Sequence, residues 1–272
     1  MIKKIYILTT RVRDDRLSLL VPELEKSDLF KIFPNIEVEL VYGYHHTQVD
    51  LGFLRENGYD YCKEWELEED VVFPRGPNNF YDKAWDWWYR PVRLGEMCCA
   101  ITHLSGWKAL LNDNIDCALF LEDDVIIRNG SFSIINEYLK YIPTKDWSMF
   151  YCSRNGFEVE NEIIVNDFIV RPKFSYNMHA YVLTTLGATH LCNGNFEKNL
   201  IINDEYVPLF YNHPRRSNMK DVYNYPPLFK TYATYNNNDL IDVRPRDLVG
   251  SDTEYSLDIF GVQGEVFGEK VV

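Results

Sequence analysis

A short apolar segment that ends in three acidic residues constrains this chain most. The run ALFLEDDVI covers residues 118–126 and places Glu122, Asp123 and Asp124 directly after its apolar part. The apolar part predicts a buried strand, and adjacent carboxylates are tolerated there only where the strand end meets a cation or a cleft. We therefore expect a metal site, with a solvated acidic turn as the alternative. Strand alternation would turn Glu122 and Asp124 to one side and Asp123 to the other.

The composition is that of a globular protein with a large core. The chain has 272 residues, of which 46% are hydrophobic and 15% aromatic. This suffices for one large α/β domain or two small ones. The formal net charge of −13 argues against general binding of nucleic acid or of anionic membranes, because both depend on a surplus of Lys and Arg. Cations or basic partners are favoured instead.

The sequence carries no pattern of a signal peptide or a membrane span. The chain as given is therefore expected to be soluble and cytoplasmic. Its six cysteines are scattered and form no C-x-x-C pair, so we interpret them as reduced thiols, with one disulfide as an alternative.

Strand and helix patterns alternate along the first half. Strand patterns lie at residues 2–8, 36–42, 118–126, 147–152 and 179–183, and helix patterns at 17–30, 94–111, 132–141 and 184–191. Thr184 or Thr185 should cap the last of these helices. From about residue 212 onward Pro, Asn and Tyr dominate, which predicts loops over the sheet. We find no repeat or linker, so a single domain is expected.

The segment LTTRVRDDR, residues 8–16, follows the first predicted strand. A guanidinium at Arg11, Arg13 or Arg16 could bind a phosphate through two hydrogen bonds, and Thr9 could contact a base or a ribose. The alternative is a solvated loop whose arginines pair with its own aspartates.

Two further groups of residues suggest chemistry. Glu96 and His103 are two helical turns apart and share a helix face, so both could contribute to a functional site. The alternative is a core histidine with a carboxylate partner. A zinc site built on His103 and Cys99 would lack its other ligands. The run FYDKAWDWWYRP, residues 80–91, is either a sugar-binding platform or a lid packed on the core.

An acidic pair interrupts the apolar segment INDEYVPLF. Asp204 or Glu205 there could act as a general base that takes the proton of an acceptor hydroxyl. Ion pairing with His213 or Arg215 is the alternative.

Taken in order, these segments resemble glycosyltransferase family 25, and specifically its procollagen galactosyltransferase branch. The resemblance is carried by YILTTRVRDDR, by RPVRLGEMCCAITHLSGW as an R-P-x-x-x-G-E-x-x-C-x-x-x-H helix, by LFLEDDV, by HAYVLTTLGATHL, by DEYVPLFYNHP and by SDTEYS. The matches run from Ile5 to Ser256. The chain departs from the family in having Cys98 beside Cys99 where the family has G-C, and in an Asn-rich segment at 229–250.

The resemblance implies an α/β fold of GT-A type, a single domain with a mixed, mostly parallel sheet flanked by helices. It implies a nucleotide-binding half at about 1–130 and an acceptor-side half at about 131–272. It further implies an inverting transfer of a hexose, with galactose favoured, from a UDP-sugar to a hydroxyl acceptor, hydroxylysine of collagen-like protein, with Mn²⁺. Family relatives include enzymes of the endoplasmic-reticulum lumen and bacterial enzymes that build lipooligosaccharide.

Site residues follow from the same resemblance. The metal would be held by Asp123, Asp124 and His213. Asp204 or Glu205 would act on the acceptor hydroxyl. The residues that would bind the donor are Thr9, Arg11, Arg13, Glu96, His103, Glu122, Asp123 and Asp252. Three alternatives stay open. These are a UDP-glucose-dependent glucosyltransferase that acts on a glycan or on galactosyl-hydroxylysine, an inactive carbohydrate- or peptide-binding module, and a metal-dependent phosphohydrolase.

Overall fold

A mixed sheet forms the centre of the molecule. The computed structural model describes residues 2–65, 92–156, 159–212, 221–226, 228–235 and 240–250. Its strands are β1 (Lys4–Thr10), β2 (Glu37–Gly43), β3 (Cys117–Glu122), β4 (Val125–Ile127), β5 (Met149–Tyr151), β6 (Asn155–Gly156), β7 (Ile163–Ile164), β8 (Ile169–Arg171), β9 (Ser175–Tyr176), β10 (Ala180–Thr184), β11 (Thr231–Thr234) and β12 (Ile241–Val243). Its α-helices are α1 (Asp14–Lys26), α2 (Leu29–Ile32), α3 (Leu51–Glu56), α4 (Leu94–Asp113), α5 (Ser131–Lys140), α6 (Thr185–Cys192), α7 (Asn203–Tyr206) and α8 (Arg246–Val249). Short 3₁₀ turns lie at His46–Gln48, Lys63–Trp65, Val159–Asn161 and Val207–Phe210.

Eight of these strands form the central sheet, in the order β2-β1-β3-β10-β5-β11-β8-β7. The strands β2, β1 and β3 are mutually parallel, and β11 is parallel to β5. The strand β10 is antiparallel to both of its neighbours, and β8 is antiparallel to β11 and β7. All strands of the sheet except β10 and β8 therefore run in one direction, which confirms the mixed, mostly parallel sheet expected from the sequence.

Both faces of the sheet are covered, because the inner strands are apolar on both sides. Along β3, Phe120 faces the layer that contains α4 and α6, while Leu119 and Leu121 face the layer that contains α1 and α5. All three side chains are fully buried. A strand buried on both faces reads as a continuous apolar run, which is why this segment was recognisable as a strand.

The long helix α4 is apolar almost all round and packs closely on the sheet. A Cβ atom added at Gly106 would lie 3.0 Å from ring atom Cε1 of Phe120, so the helix backbone approaches β3 as closely as a glycine allows. The helix begins after Arg93, whose backbone N–H donates to Glu96 Oε2 at 2.7 Å, a capping-box interaction. It ends at Asp113, and the next residue, Asn114, caps it in the left-handed conformation at φ 52°.

Several elements differ from the sequence-based expectations. The helix predicted at 17–30 is two helices, because Ser27 is extended and ends α1. The acidic strand ends at Glu122, and the next two residues form a turn into β4. Loops were expected after residue 212, but β11 joins the central sheet and β12 pairs with β4. Thr184 caps α6 as predicted, accepting from the Gly187 N–H at 3.1 Å.

Two predicted features lie outside the described residues, namely the aromatic run at 80–91 and the SDTEYS segment. Among the described residues, no helix is both long and apolar enough to cross a membrane.

Candidate functional site

The acidic cluster lies at the edge of the sheet where β1 and β3 end. Leu8 of β1 pairs with Glu122, the last residue of β3. Because β10 runs in the opposite direction, its first residues reach the same edge, and the Glu122 N–H donates to the His179 carbonyl at 2.9 Å. Open α/β sheets bind their ligands at the carboxyl ends of parallel strands.

Asp123 is held on the side of β1 and α1. It is 4% exposed, and it accepts hydrogen bonds from Thr9 Oγ1 at 2.7 Å and from Arg16 Nη1 at 2.9 Å. Burial raises the pKa of the Asp123 carboxyl, and the neighbouring Arg16 charge opposes this rise only in part. The carboxylate therefore has a fixed orientation at the base of the cluster.

Asp124 carries the least satisfied carboxylate of the cluster. Its Oδ1 is buried without a hydrogen-bond partner among the described residues, and its Oδ2 lies 3.5 Å from Arg16 Nη1. Burial and the charge of Glu122 raise the pKa of Asp124 to about 7. The turn brings both aspartates to Arg16, so the alternation expected from a continuing strand does not apply to Asp124.

This arrangement fits a hard divalent cation. An unpartnered carboxylate oxygen beside two further carboxylates offers oxygen ligands of the kind Mn²⁺ and Mg²⁺ prefer, and a cation would remove the cost of burying the charge. Asp124 is the residue best suited to bind it. His213, expected as a ligand, and Asp252, expected at the donor, lie outside the described residues.

Glu122 belongs to a different set of contacts, on the α4 side. Its Oε1 lies 3.0 Å from His103 Nε2 and 3.9 Å from Cys99 Sγ. Burial alone would raise the pKa of Glu122, but the hydrogen bond from His103 and the positive charge around the carboxylate, including that of Arg16, together hold the pKa below the usual value. The partner of His103 is thus Glu122. The Glu96 carboxylate instead caps α4, so the carboxylate partner of the core histidine comes from β3 and not from its own helix.

Cys99, His103 and Glu122 are also close enough together to be considered as ligands of one metal ion. One ligand atom from each lies within 4.8 Å of the others. Both nitrogens of the His103 ring are already in hydrogen bonds, and burial together with the carboxylate of Glu122 raises the pKa of the Cys99 thiol well above its usual value. Cys99 is therefore a protonated thiol, and the oxygen ligands around Asp124 suit a hard cation better.

The three arginines of the first loop have separate roles. Arg16 is buried and binds the acidic cluster together with the Gly250 carbonyl, which it contacts at 2.8 Å. Arg13 pairs with Asp15 through two hydrogen bonds of 3.0 and 2.9 Å, as the alternative interpretation expected. Arg11 lies over the Tyr42 ring, 4.5 Å from its centroid.

Asp204 and Glu205 differ sharply in their partners. Asp204 is half-buried and accepts from the Met178 N–H at 3.0 Å, and burial raises its pKa to about 7. Glu205 is 4% exposed and accepts from the Tyr176 hydroxyl at 2.5 Å. Of the two, Asp204 is the better candidate for a base, because the Glu205 carboxylate is fixed by that hydroxyl.

Sequence reasoning missed two residues of the site and underrated a third. Asn203 is buried beside Cys99, with its Oδ1 unpartnered among the described residues, and Tyr181 bonds His103 from β10. Asn203 directly precedes the acidic pair, which was a usable signal, whereas the position of Tyr181 depends on strand pairing. Arg16 was considered for phosphate, but the structure places it on Asp123.

Fold and site together define an α/β protein whose candidate ligand site lies beyond the carboxyl ends of its parallel strands. A family model described as glycosyltransferase family 25 (LPS biosynthesis protein) matches residues 3–206, most of the chain. The chain belongs to glycosyltransferase family 25.

Curated relatives support this assignment at modest identity. The chain is 32% identical over 133 residues to "Procollagen lysyl hydroxylase and glycosyltransferase" of Acanthamoeba polyphaga mimivirus, covering 45% of this chain and 14% of that protein. It is 28% identical over 159 residues to "Glycosyltransferase 25 family member" of Anopheles gambiae, covering 56% and 26%. It is 28% identical over 139 residues to "Procollagen galactosyltransferase 2" of Homo sapiens, covering 49% and 22%. The matches span between 14% and 26% of these relatives' lengths.

Proposed function

We propose that this chain is an inverting glycosyltransferase that moves a hexose, galactose in the first instance, from a UDP-sugar to a hydroxyl acceptor, hydroxylysine of a collagen-like protein. Family membership supports sugar transfer. The names of the relatives, which include procollagen galactosyltransferases, support the donor and acceptor classes. The net charge of −13 suits a Lys-rich acceptor.

The observation that carries the proposal is the unpartnered Oδ1 of Asp124 beside Asp123 and Glu122. We expect Asp124, with Asp123, to hold Mn²⁺, and His213 remains a proposed ligand. The bound cation would neutralise charge on the departing diphosphate. Thr9 and Arg16 orient Asp123 for this purpose, since both donate to its carboxylate.

The remaining steps use residues of the chain. The acceptor oxygen attacks the anomeric carbon as the bond to the UDP oxygen breaks, and UDP leaves with the bonding electrons from the opposite face. Asp204 takes the proton of the acceptor hydroxyl. Arg11 and Arg13, which follow β1 at this edge, are the proposed contacts of the nucleotide.

A donor screen tests the proposal. UDP release is measured with each UDP-sugar, with and without Mn²⁺ and a hydroxylysine-containing collagen peptide. We expect release that requires Mn²⁺, UDP-galactose and the peptide. Preference for UDP-glucose with a glycan acceptor would assign the glucosyltransferase alternative. If the protein binds sugar but turns over no donor, it is a binding module. If it releases phosphate from simple esters, it is a phosphohydrolase.

Asp124→Asn provides the residue-level test. Because this variant loses a metal carboxylate but keeps the side-chain shape, we expect the rate to fall about a thousandfold or more, together with Mn²⁺ affinity. Steady-state kinetics and titration with Mn²⁺ measure the two effects. Wild-type turnover of the variant at saturating Mn²⁺ would contradict the metal assignment.

A further inference from the structure

A chain of buried hydrogen bonds runs from the core to the acidic cluster. Trp107 Nε1 lies 2.9 Å from the Tyr181 hydroxyl, this hydroxyl lies 2.9 Å from His103 Nδ1, and His103 Nε2 lies 3.0 Å from Glu122 Oε1. Trp107, Tyr181 and His103 are each at most 1% exposed. The Glu122 side chain, which is 28% exposed, is the only member of this chain of hydrogen bonds that is open to solvent.

The chemistry of the groups fixes the direction of every hydrogen bond in this chain. Indole N–H can only donate, so Trp107 donates to the Tyr181 oxygen. Burial raises the pKa of Tyr181 well above its usual value, so the hydroxyl keeps its proton and donates it to His103 Nδ1. With Nδ1 acting as the acceptor, the imidazole carries its proton on Nε2, from which it donates to Glu122 Oε1. Each buried donor and acceptor in the chain is thereby satisfied.

The packing prevents these groups from turning. The Tyr181 ring stacks with Phe120, with ring centroids 5.1 Å apart and an interplanar angle of 4°, and with His103, at 5.7 Å and 14°. Rotation of the imidazole would break two hydrogen bonds in a place where water does not replace them. The side chain of Glu122 is therefore held by a rigid support.

The support contacts only one of the two carboxylate oxygens of Glu122. Both His103 and Cys99 approach Oε1, and Oε2 has no hydrogen-bond partner among the described residues. Asp124 and Asp204 lie near enough for the charge of Glu122 to act on the pKa of both. Oε2 is thus an acceptor on a carboxylate that lies near both the proposed metal ligand and the proposed base.

We propose that Trp107, Tyr181 and His103 form a positioning relay that fixes Glu122 so that its Oε2 accepts a hydrogen bond from a hydroxyl of the transferred sugar. This inference rests on the proposed function. The relay residues touch no substrate themselves, and only Glu122 contacts the donor.

Tyr181→Phe tests the relay, because it removes one hydroxyl and keeps the ring stack. We expect kcat with the preferred UDP-sugar to fall about tenfold to a hundredfold. The dissociation constant of UDP, which lacks the sugar, should change by less than about threefold, since the relay acts only on the sugar contact. His103→Gln, which keeps a donor near the Nε2 position, should retain more activity than His103→Leu.

Tyr206→Phe is the matched control. Tyr206 is fully buried and stacks on the same Trp107, but its hydroxyl donates to the Leu191 carbonyl at 2.7 Å. Both variants lose one buried hydroxyl, so we expect similar decreases in Tm but wild-type kcat for Tyr206→Phe. Equal kcat values for the two variants would overturn the relay.

Nitrogen-15 NMR of the His103 ring separates failure of the relay from failure of the proposed function. We expect the proton on Nε2 in the wild type, with loss of that preference in Tyr181→Phe. A proton on Nδ1 in the wild type would overturn the relay. If no UDP-sugar is turned over, the proposed function fails, and the NMR measurement still decides whether the relay exists.

Discussion

At the scale of single residues, the neighbouring carboxylates of Asp204 and Glu205 differ in their hydrogen-bond partners and therefore in the roles they can have. The Tyr176 hydroxyl fixes Glu205, whereas Asp204 accepts backbone N–H groups and has a pKa raised by burial to about 7. A carboxylate with such a pKa changes its protonation near neutral pH and is suited to general-base catalysis.

Asp204→Asn should therefore change the pH dependence of transfer. In the wild type, kcat/KM should rise with pH to a plateau above about 7, because only ionised Asp204 accepts the proton. The variant should lose at least about a hundredfold in kcat, lose this rise and keep its affinity for UDP. An equal loss of UDP affinity would make Asp204 a donor-site residue instead.

The raised pKa of Asp204 also predicts how this residue affects the free energy of unfolding. Its pKa of about 7 in the folded protein lies above the usual aspartate value of 3.8. Between these two pH values the folded protein therefore keeps a proton that the unfolded chain has released. The stabilisation from this group is complete below pH 3.8 and is lost as the pH rises to about 7. Urea unfolding at pH 5 and pH 8 should therefore show a smaller pH-dependent loss for Asp204→Asn than for the wild type.

Arg16 offers a second prediction at this scale. Arg16→Met leaves Asp123 buried without its charged partner, and we expect the free energy of unfolding to fall by about 3 kcal/mol. Added Mn²⁺ should restore part of this loss, because it supplies positive charge to the same cluster. The control is Arg55→Met, which breaks an exposed ion pair with Asp60 and should cost less than about 1 kcal/mol. Similar losses for both variants would contradict the structural role of Arg16.

At the scale of elements, close approach determines how the helices sit on the sheet. A Cβ atom at Gly187 of α6 would lie 2.4 Å from the Ser148 carbonyl oxygen, a backbone atom that cannot rotate away. Gly187→Ala should therefore destabilise the protein by about 2 kcal/mol or more. Gly52→Ala in α3, where the nearest atom is a side-chain oxygen of Asp50 at 3.2 Å, should be nearly neutral. Thermal unfolding of the two variants measures the difference.

Elements with local signals were predictable from the sequence, and elements defined by distant partners were not. The helix α4 and the strand β3 carry long apolar patterns, and Thr184 carries a capping signal. The strands β11 and β12 have four and three residues, and they form because β5 and β4 offer partners far away in the sequence. The acidic cluster was predictable for the same local reason, but the partnership of Arg16 with Asp123 spans 107 residues.

At the scale of the whole molecule, the net charge of −13 should govern encounter with the acceptor. Raising the salt concentration from about 0.05 to about 0.5 M should raise the KM for a Lys-rich acceptor peptide several-fold, because screening weakens attraction between exposed charges. The KM for a neutral peptide of equal length should stay nearly constant. Equal salt effects on both peptides would show that surface charge does not guide the acceptor.

The last described segment of the chain, residues 240–250, contacts the acidic cluster and its partner Arg16. The strand β12 pairs with β4, the Arg244 N–H donates to the Asp124 carbonyl at 2.7 Å, and the Gly250 carbonyl accepts from Arg16. The interval matched by the family model ends at residue 206 and so does not contain these contacts. During synthesis, a ribosome would have to add more than a hundred residues after Asp124 before the cluster could close. The contacts around Asp124 can therefore form only late in translation.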